Sequence, residues 1–189
     1  LLTMLQGEPA PQTPAHNCAR LTGEVDALLS FLYHWRGDAA ATIEHGHRAL
    51  QLLPPEDSYM RSFALLMLTA SCQANGDLPG AYALLDAYAN AVGPTAPIAQ
   101  VHVPICRGFL QSIAGDLRAL HESIGQLLAS GKVNTTGTDI YGLAHYFQAT
   151  VHYYQNDLPA VALVLAEPLA RRYRLVPRHV IQCAYLLAL

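Results

Sequence analysis

"SFLYHWRGDAAATIEHGHRALQLLPPED" (residues 30–57) decides how this chain folds. Its centre, Arg36-Gly37-Asp38, joins two stretches in which apolar residues recur every three or four positions, which is the spacing of one helix face. Glycine readily takes the left-handed conformation that ends a helix, and an aspartate accepts hydrogen bonds from the first free N–H groups of the next helix. Pro54-Pro55 then stops the second stretch. The segment therefore predicts a helical hairpin.

The same turn recurs three times downstream, at steps of 39, 39 and 41 residues. The copies are Gly76-Asp77, Gly115-Asp116 and Asn156-Asp157. Self-similarity at such a period indicates a stack of helical repeats. Pro79 and Pro159 each fall two residues after an aspartate, in the first helical turn, where a missing N–H costs little. Each repeat is thus predicted to be a helix, a Gly/Asn-Asp turn and a second helix.

Reading the apolar periodicity along the chain predicts nine helices and no sustained strand. The predicted helices span residues 22–36, 39–53, 57–75, 78–92, 97–114, 117–130, 138–155, 158–173 and 177–189. Residues 1–5 are predicted to end an earlier helix, and residues 6–17 to form a loop. Pro104 and Pro168 fall inside predicted helices, where each is expected to kink or interrupt the helix at a cost of about 3 kcal/mol. The third hairpin is therefore expected to start later, and the eighth helix to break near Glu167.

The predicted fold class is all-α, a right-handed superhelix of stacked antiparallel helix pairs with a period of about 40 residues. Residues 1–189 are interpreted as one helical-repeat domain, a fragment of a longer protein. Its repeat units are predicted at residues 21–56, 57–94, 95–135 and 136–175, with a partial unit at 176–189.

Composition limits the classes of function. Hydrophobic residues make up 52% and charged residues only 13%, so the chain buries much apolar surface or meets apolar partners. The net charge is −3, whereas surfaces that bind nucleic acid are usually strongly basic, so composition does not favour nucleic-acid binding. No apolar run reaches membrane-spanning length and no signal peptide is visible, so we expect a cytoplasmic protein with no membrane partner. The four separated cysteines are expected to be buried free thiols.

Several short motifs match known signals but have simpler explanations. Arg36-Gly37-Asp38 is an adhesion tripeptide, yet it is also one copy of the repeated turn. Asn134-Thr135-Thr136 is a glycosylation sequon that serves equally as a polar interhelix loop. Residues 125–133, "GQLLASGKV", resemble a phosphate loop, but Gln126 stands where a glycine is required and Val133 replaces its Ser/Thr.

The spacing of the histidines does not predict a metal site. His45 and His47 are two apart, so they point to different sides of a helix. His145 and His152 share a face but lie two turns apart. No Cys/His or Ser/His/Asp set emerges either. We therefore expect no catalytic residues, no metal and no cofactor, and interpret the chain as not an enzyme.

A candidate binding face comes from the geometry of a hairpin stack, in which the first helices line the concave surface. This face mixes aromatic side chains with isolated polar groups, as grooves for small molecules or peptides do. The alternative is that single members only pack between neighbouring repeats. The predicted ligand- or partner-binding residues are Glu24, Phe31, His34, Trp35, Gln73, His102, Phe109, Tyr146, Thr150, Tyr153 and Tyr154.

The unit resembles a tetratricopeptide repeat. In that pattern Gly-Asp closes the first helix, a small residue follows the Asp by eleven positions, and Pro follows five later. Asp38, Ala49 and Pro54 match it. The later units place Tyr88, Leu127 and Pro168 at the small-residue position. The period of about 40 also exceeds the usual 34.

The longer, Ala/Leu-rich first unit, "GEVDALLSFLYHWRGDAAATIEHGHRALQLLPPED" (residues 23–57), is similar to one family in particular. It resembles the helical-repeat region of large ATP-dependent LuxR-type bacterial transcription regulators, related to the maltose regulator, over residues 21–175. The resemblance implies an NTPase module before the repeats and a helix-turn-helix DNA reader after them. It also implies that the repeats take an effector or a regulatory partner, and that this region itself touches neither ATP nor DNA.

Three functions follow as hypotheses. The first is a non-enzymatic effector-sensing or protein-interaction domain that binds a small molecule, peptide or protein on the concave face. The second is a purely structural scaffold for self-association as a homo-oligomer or for multiprotein assembly, in which the apolar segment at residues 184–189 meets another subunit. The third, an enzyme built on helical hairpins, requires a clustered acid and base.

Overall fold

The recurring turns of the sequence organise the computed structural model, which describes residues 14–93, 96–133, 138–171 and 177–188. Over these residues the chain is all-α, as the periodicity predicts. The helices are α1 (Pro14–Trp35), α2 (Ala39–Leu52), α3 (Ser58–Ala74), α4 (Leu78–Val92), α5 (Pro97–Ala114), α6 (Leu117–Ala129), α7 (Thr138–Tyr154), α8 (Leu158–Ala170) and α9 (Pro177–Ala188).

Each predicted turn has the backbone conformation that its sequence requires. Gly37, Gly76 and Gly115 have φ values of 76°, 85° and 73°, in the left-handed region that a side chain disfavours. Asn156 takes the same role with φ 58°, since asparagine tolerates this region better than most residues. The four turns that join α1 to α2, α3 to α4, α5 to α6 and α7 to α8 are therefore built alike.

The aspartate after each turn caps the next helix. Its Oδ1 atom accepts a hydrogen bond from the backbone N–H three residues on, at 2.9–3.1 Å. The pairs are Asp38–Ala41, Asp77–Gly80, Asp116–Ala119 and Asp157–Ala160. This bond satisfies a donor that has no partner inside the helix, and the carboxylate stabilises the positive helix end.

Three predictions about helix limits were wrong. Residues 14–17 are helical rather than loop, because α1 begins at Pro14, where a proline's missing N–H costs nothing. The helix α5 runs through Pro104 without interruption, and α8 runs through Pro168 to Ala170. The prediction that residues 1–5 end a helix and the Asn134 sequon both lie outside the described residues.

A contact from the neighbouring helix compensates for Pro168. A proline has no N–H to donate, so the carbonyl of Val164, four residues earlier, loses its helical partner. The imidazole ring of His145 on α7 lies beside that carbonyl, whose partial negative charge acts to raise the pKa of the ring. Tertiary packing thus removes part of the cost that the sequence alone assigns to this proline.

The helices divide into two compact units, with the boundary between Ser71 and Cys72. In the first unit, small side chains let α1, α2 and α3 approach closely around a core of Ala27, Ala49, Leu53 and Ala64. In the second unit, residues of α5, α6 and α7 form one apolar cluster, which includes Ile105, Ile124 and Phe147. A smaller cluster joins α7, α8 and α9 through Ala149, Val161, Leu165, Cys183 and Leu186.

The cysteines are free but not all buried. Cys106 and Cys183 lie in apolar surroundings, and this burial raises the pKa of Cys106 to about 12 and that of Cys183 to about 11. Cys18 is exposed and Cys72 half-buried, so the expectation of four buried thiols was wrong for these two. Among the described helices, none combines the length and apolar character needed to cross a membrane.

Candidate functional site

An aromatic patch lies at the carboxyl end of α1, where α1 meets α3. The Phe31 ring lies 6.0 Å from the Trp35 ring in an edge-to-face arrangement, and 5.2 Å from the ring of Phe63 on α3 (centroid distances). Phe31 and Phe63 are half-buried and pack the helices together, whereas Trp35 is 61% exposed. We call these three residues the Trp35 patch. It combines a fixed base with one large aromatic side chain open to solvent.

Polar side chains border the patch. The His34 ring lies 6.1 Å from the Trp35 ring and nearly perpendicular to it, and His34 Nδ1 is hydrogen-bonded to Ser71 Oγ at 3.2 Å. This bond fixes the imidazole beside the indole. Glu24 lies further back on α1 and pairs with Arg20, one turn away, at 3.2 Å. Of the predicted face residues in the first unit, Phe31, His34 and Trp35 therefore come together, while Glu24 does not.

Trp35 belongs to a position that is exposed in every hairpin. The residue two places before each turn glycine or asparagine is open to solvent in all four first helices. These residues are Trp35, Ala74, Ile113 and Tyr154. A position exposed four times is not needed to pack the hairpins, so its large apolar side chains at Trp35, Ile113 and Tyr154 are available to a partner.

The predicted tyrosines on α7 divide into packed and exposed residues. Tyr146 and Tyr153 are half-buried and pack against the cluster that joins α7, α8 and α9. Tyr154 is exposed, and its ring lies 5.8 Å from that of Tyr153 in an edge-to-face arrangement. Thr150 is buried, and its hydroxyl donates to the carbonyl of Tyr146. On this helix, Tyr154 is the predicted face residue with most surface to offer.

The remaining predicted residues, Gln73, His102 and Phe109, belong to the second unit. Phe109 packs against the apolar cluster of α5, α6 and α7, and His102 is buried. Gln73 is half-buried near the end of α3. That His102, Phe109 and Gln73 contact a ligand stays a prediction.

A buried carboxylate joins the two helices of the first hairpin, and the apolar periodicity did not predict this contact. The Asp26 carboxylate on α1 is buried, and its Oδ1 lies 2.7 Å from Nδ1 of His45 on α2. Arg48 Nη2 lies 3.4 Å from Oδ2 of the same carboxylate. The Tyr33 ring stacks on the His45 imidazole at 5.3 Å. A signal was present, because Asp26 places a charge on the side of α1 that carries Ala27 and Ser30, and a buried charge needs a partner.

A second polar cluster lies between α7 and α8. His145 is half-buried there, and the Tyr141 ring lies 4.5 Å from its ring (centroid distance), tilted by 52°. Burial lowers the pKa of His145 below its ordinary 6.5, although the Glu167 carboxylate and the Val164 carbonyl act in the opposite direction. Burial also raises the pKa of Tyr141, and the negative charge of Glu167 adds to this. Glu167 also pairs with Arg171, four residues further along the chain, at 2.6 Å.

A third cluster joins α6 and α7 through one amide. Gln148 Nε2 lies 3.1 Å from Nδ1 of His121 and 3.3 Å from Nε2 of His152. The two imidazoles are thereby held nearly perpendicular, 6.0 Å apart. Across the part of the chain that the structure describes, no three His, Cys, Asp or Glu side chains are grouped so that they could hold a metal ion.

Comparison with known proteins adds no identity: no family model, curated protein or solved structure matches this chain. The residues themselves therefore carry the functional argument. The Trp35 patch is the place where predicted face residues, surface exposure and a rigid base coincide.

Proposed function

We propose that this chain is a non-enzymatic binding module, in which the Trp35 patch takes an apolar or aromatic group of a small-molecule effector or of a peptide partner. The observation that carries the proposal is the 61% exposure of a tryptophan held edge-to-face on a packed phenylalanine pair. An indole in this setting offers a large contact area and loses little side-chain freedom on binding.

The resemblance to LuxR-type regulators extends the proposal to the whole protein. On this proposal the hairpins continue as a right-handed superhelix, the chain is one region of a cytoplasmic bacterial transcription regulator, and ligand binding here is passed to other modules of that protein. The regular Asp-capped turns and the exposure of the same position in four hairpins support a repeat array with a common binding face.

The chain contains its own reporter for the test, because Trp35 is its single tryptophan. Metabolites and peptides are titrated into the protein while tryptophan emission is recorded, and each hit is repeated by calorimetry. Covering the indole by a ligand removes water from it, so we expect a blue shift that saturates at the stoichiometry seen by calorimetry.

A matched pair of variants separates the patch from the rest of the surface. Trp35→Ala should abolish the calorimetric signal of a hit, whereas Leu163→Ala, which trims another exposed apolar side chain on α8, should leave it unchanged. A ligand that binds both variants equally does not use the patch, and this result would refute the site. A screen in which no ligand changes the emission would refute the function.

A second candidate function has its own supporting observation. Three apolar residues on α1, namely Val25, Leu28 and Leu32, are exposed, and so are Ile181 and Tyr185 on α9. Apolar faces of this kind on two helices favour a scaffold that associates with other chains. The two functions share α1, because Trp35 lies seven residues after Leu28 and therefore on the same side of that helix.

A further inference from the structure

Each first helix of the repeat carries the same three-residue face, five, nine and twelve positions before the turn residue. We call it the receiving face. Its members are Val25, Leu28 and Leu32 in α1; Ala64, Met67 and Ser71 in α3; Val103, Cys106 and Leu110 in α5; and Ala144, Phe147 and Val151 in α7.

The receiving face is buried in three helices and exposed in one. None of its nine residues in α3, α5 and α7 is more than 5% exposed. In α1, by contrast, Val25, Leu28 and Leu32 are 54%, 55% and 42% exposed. The residues in α1 are as apolar as their counterparts, so composition does not explain the difference. Among the residues that the structure describes, no helix packs on this face of α1.

The structure also identifies what covers a receiving face. In α5, Val101 and Ile105 belong to the same apolar cluster as Ala144, Phe147 and Val151 of α7. In the first unit, Ala27 of α1 meets Ala64 of α3 in the same way. We call the residues ten and fourteen positions before a turn, such as Ile105 and Val101, the presenting face.

A third example of this contact places α9 in the repeat register. The presenting face of α7 consists of Gly142 and Tyr146. Cys183 Sγ lies 3.9 Å from the Gly142 carbonyl, and Tyr146 packs against the cluster that contains Cys183 and Leu186. Cys183 and Leu186 are thus the receiving face of α9. By the same register its presenting face is Ile181 and Tyr185, which are 68% and 65% exposed.

The chain therefore exposes both halves of an interface that it forms three times internally. We propose that copies of this chain associate head to tail, with the presenting face of α9 in one copy packing on the receiving face of α1 in the next. This inference deepens the second proposed function by naming the partner and both surfaces. It does not depend on ligand binding at Trp35.

Geometry sets the strength and the form of the association. In the internal interfaces the second helix of the preceding hairpin also contributes, for example Leu120 and Ile124 of α6. The proposed contact between copies uses α9 and α1 only, so it buries less apolar area and the association should be weak. The two faces differ, so the contact does not close by two-fold symmetry, and the assembly grows with concentration.

The first measurement is sedimentation velocity of the chain from micromolar to near-millimolar concentration. We expect the average mass to rise continuously with concentration. Leu28→Asp and Ile181→Asp each place a carboxylate in the contact, so each should weaken association about tenfold to a hundredfold. Leu163→Asp puts the same charge on an exposed leucine outside both faces and should change nothing. Circular dichroism checks folding, and Val25→Asp replaces Leu28→Asp if the latter unfolds.

Mixing the two variants gives the decisive result. The Leu28→Asp chain keeps its presenting face, and the Ile181→Asp chain keeps its receiving face. Head-to-tail packing therefore predicts that two nearly monomeric variants combine into a one-to-one dimer that grows no further.

Three results would overturn the inference. A wild-type chain that stays monomeric throughout removes self-association, while Trp35 emission still tests the binding module. Loss of association in Leu28→Asp but not in Ile181→Asp indicates symmetric pairing of two α1 helices. Association that neither substitution affects shows that the scaffold uses another surface.

Discussion

The first and fourth hairpins share the same turn and helix cap, but they place different polar residues between their helices. Both turn on a left-handed residue and both cap the second helix with an aspartate, Asp38 or Asp157. Eleven positions before the turn, however, the first hairpin has Asp26 and the fourth has His145. In the first hairpin the buried acid pairs with a base, His45. In the fourth, the half-buried base His145 lies beside the Val164 carbonyl.

The second helices match these interiors. Gly46 of α2 and Leu165 of α8 are equivalent positions, eight residues after the capping aspartate. A Cβ on Gly46 would lie only 3.1 Å from the Leu68 Cβ, so α2 and α3 pack closely there. In α8, Leu165 fills the same position with a completely buried side chain. The repeat therefore specifies the turn conformation and the helix caps. The side chains that pack between the two helices differ from one hairpin to the next.

The largest expected effect tests the apolar interior of the fourth hairpin. Leu165→Ala leaves a cavity among Ala149, Val161 and Cys183, so the free energy of unfolding should fall by about 3 kcal/mol. Urea denaturation followed by circular dichroism measures it. Leu163→Ala on the exposed side of α8 is the control and should change stability by less than about 0.5 kcal/mol. Equal losses in both variants would contradict the assignment of Leu165 to the core.

The next effect tests the polar interior of the first hairpin. Asp26→Asn removes the charge that His45 and Arg48 share, and we expect a loss of about 2–3 kcal/mol. The matched control is Asp86→Asn, since Asp86 pairs with Arg107 on the surface and should contribute less than about 1 kcal/mol. If the two substitutions cost the same, the burial of Asp26 has no energetic consequence.

Removing the capping aspartate should cost the same stability in the first and fourth hairpins. Asp38→Ala and Asp157→Ala each remove one hydrogen bond to a helix N-terminus, so each should cost about 1 kcal/mol. The same denaturation experiment measures both. A difference larger than the cap energy itself would show that the frames are not equivalent and would break the comparison.

The smallest effect is the pH dependence that His145 gives to the fourth hairpin. Because burial lowers its pKa in the folded chain, the unfolded chain binds more protons just below pH 6.5. The contribution of neutral His145 to the free energy of unfolding is therefore fully present above pH 6.5, and it is lost as the pH falls toward the lowered pKa. His145→Gln retains a donor for the Val164 carbonyl and should flatten this dependence, whereas His47→Gln on the exposed side of α2 should not. An unchanged slope in His145→Gln would contradict the assignment.

Thiol chemistry offers an independent check on the two interiors. Cys18 is exposed and should react quickly with an alkylating reagent in the native chain, whereas Cys106 and Cys183 should react only on unfolding. Mass spectrometry after a short exposure identifies the modified residues. Rapid native modification of Cys183 would show that the contact between α7 and α9 opens.

The sequence by itself determined the local features of this protein. A glycine or asparagine followed by aspartate specifies a left-handed turn and a capped helix through contacts within a few residues, so the four turns, the all-α class and most helix limits could be read directly. The failures had non-local causes. Pro168 lies inside α8, and the Val164 carbonyl that it leaves without a helical partner lies beside His145 of another helix.

Only the tertiary structure decided which residues of each helix face solvent. Val25 and Ala64 occupy the same repeat position and both are apolar, yet one is exposed and the other buried. Likewise the predicted face residues Thr150 and His102 are buried, while Trp35 and Tyr154 are exposed. Periodicity defines a helix face, but its burial depends on whether another helix packs against it, and that contact joins residues far apart in the chain.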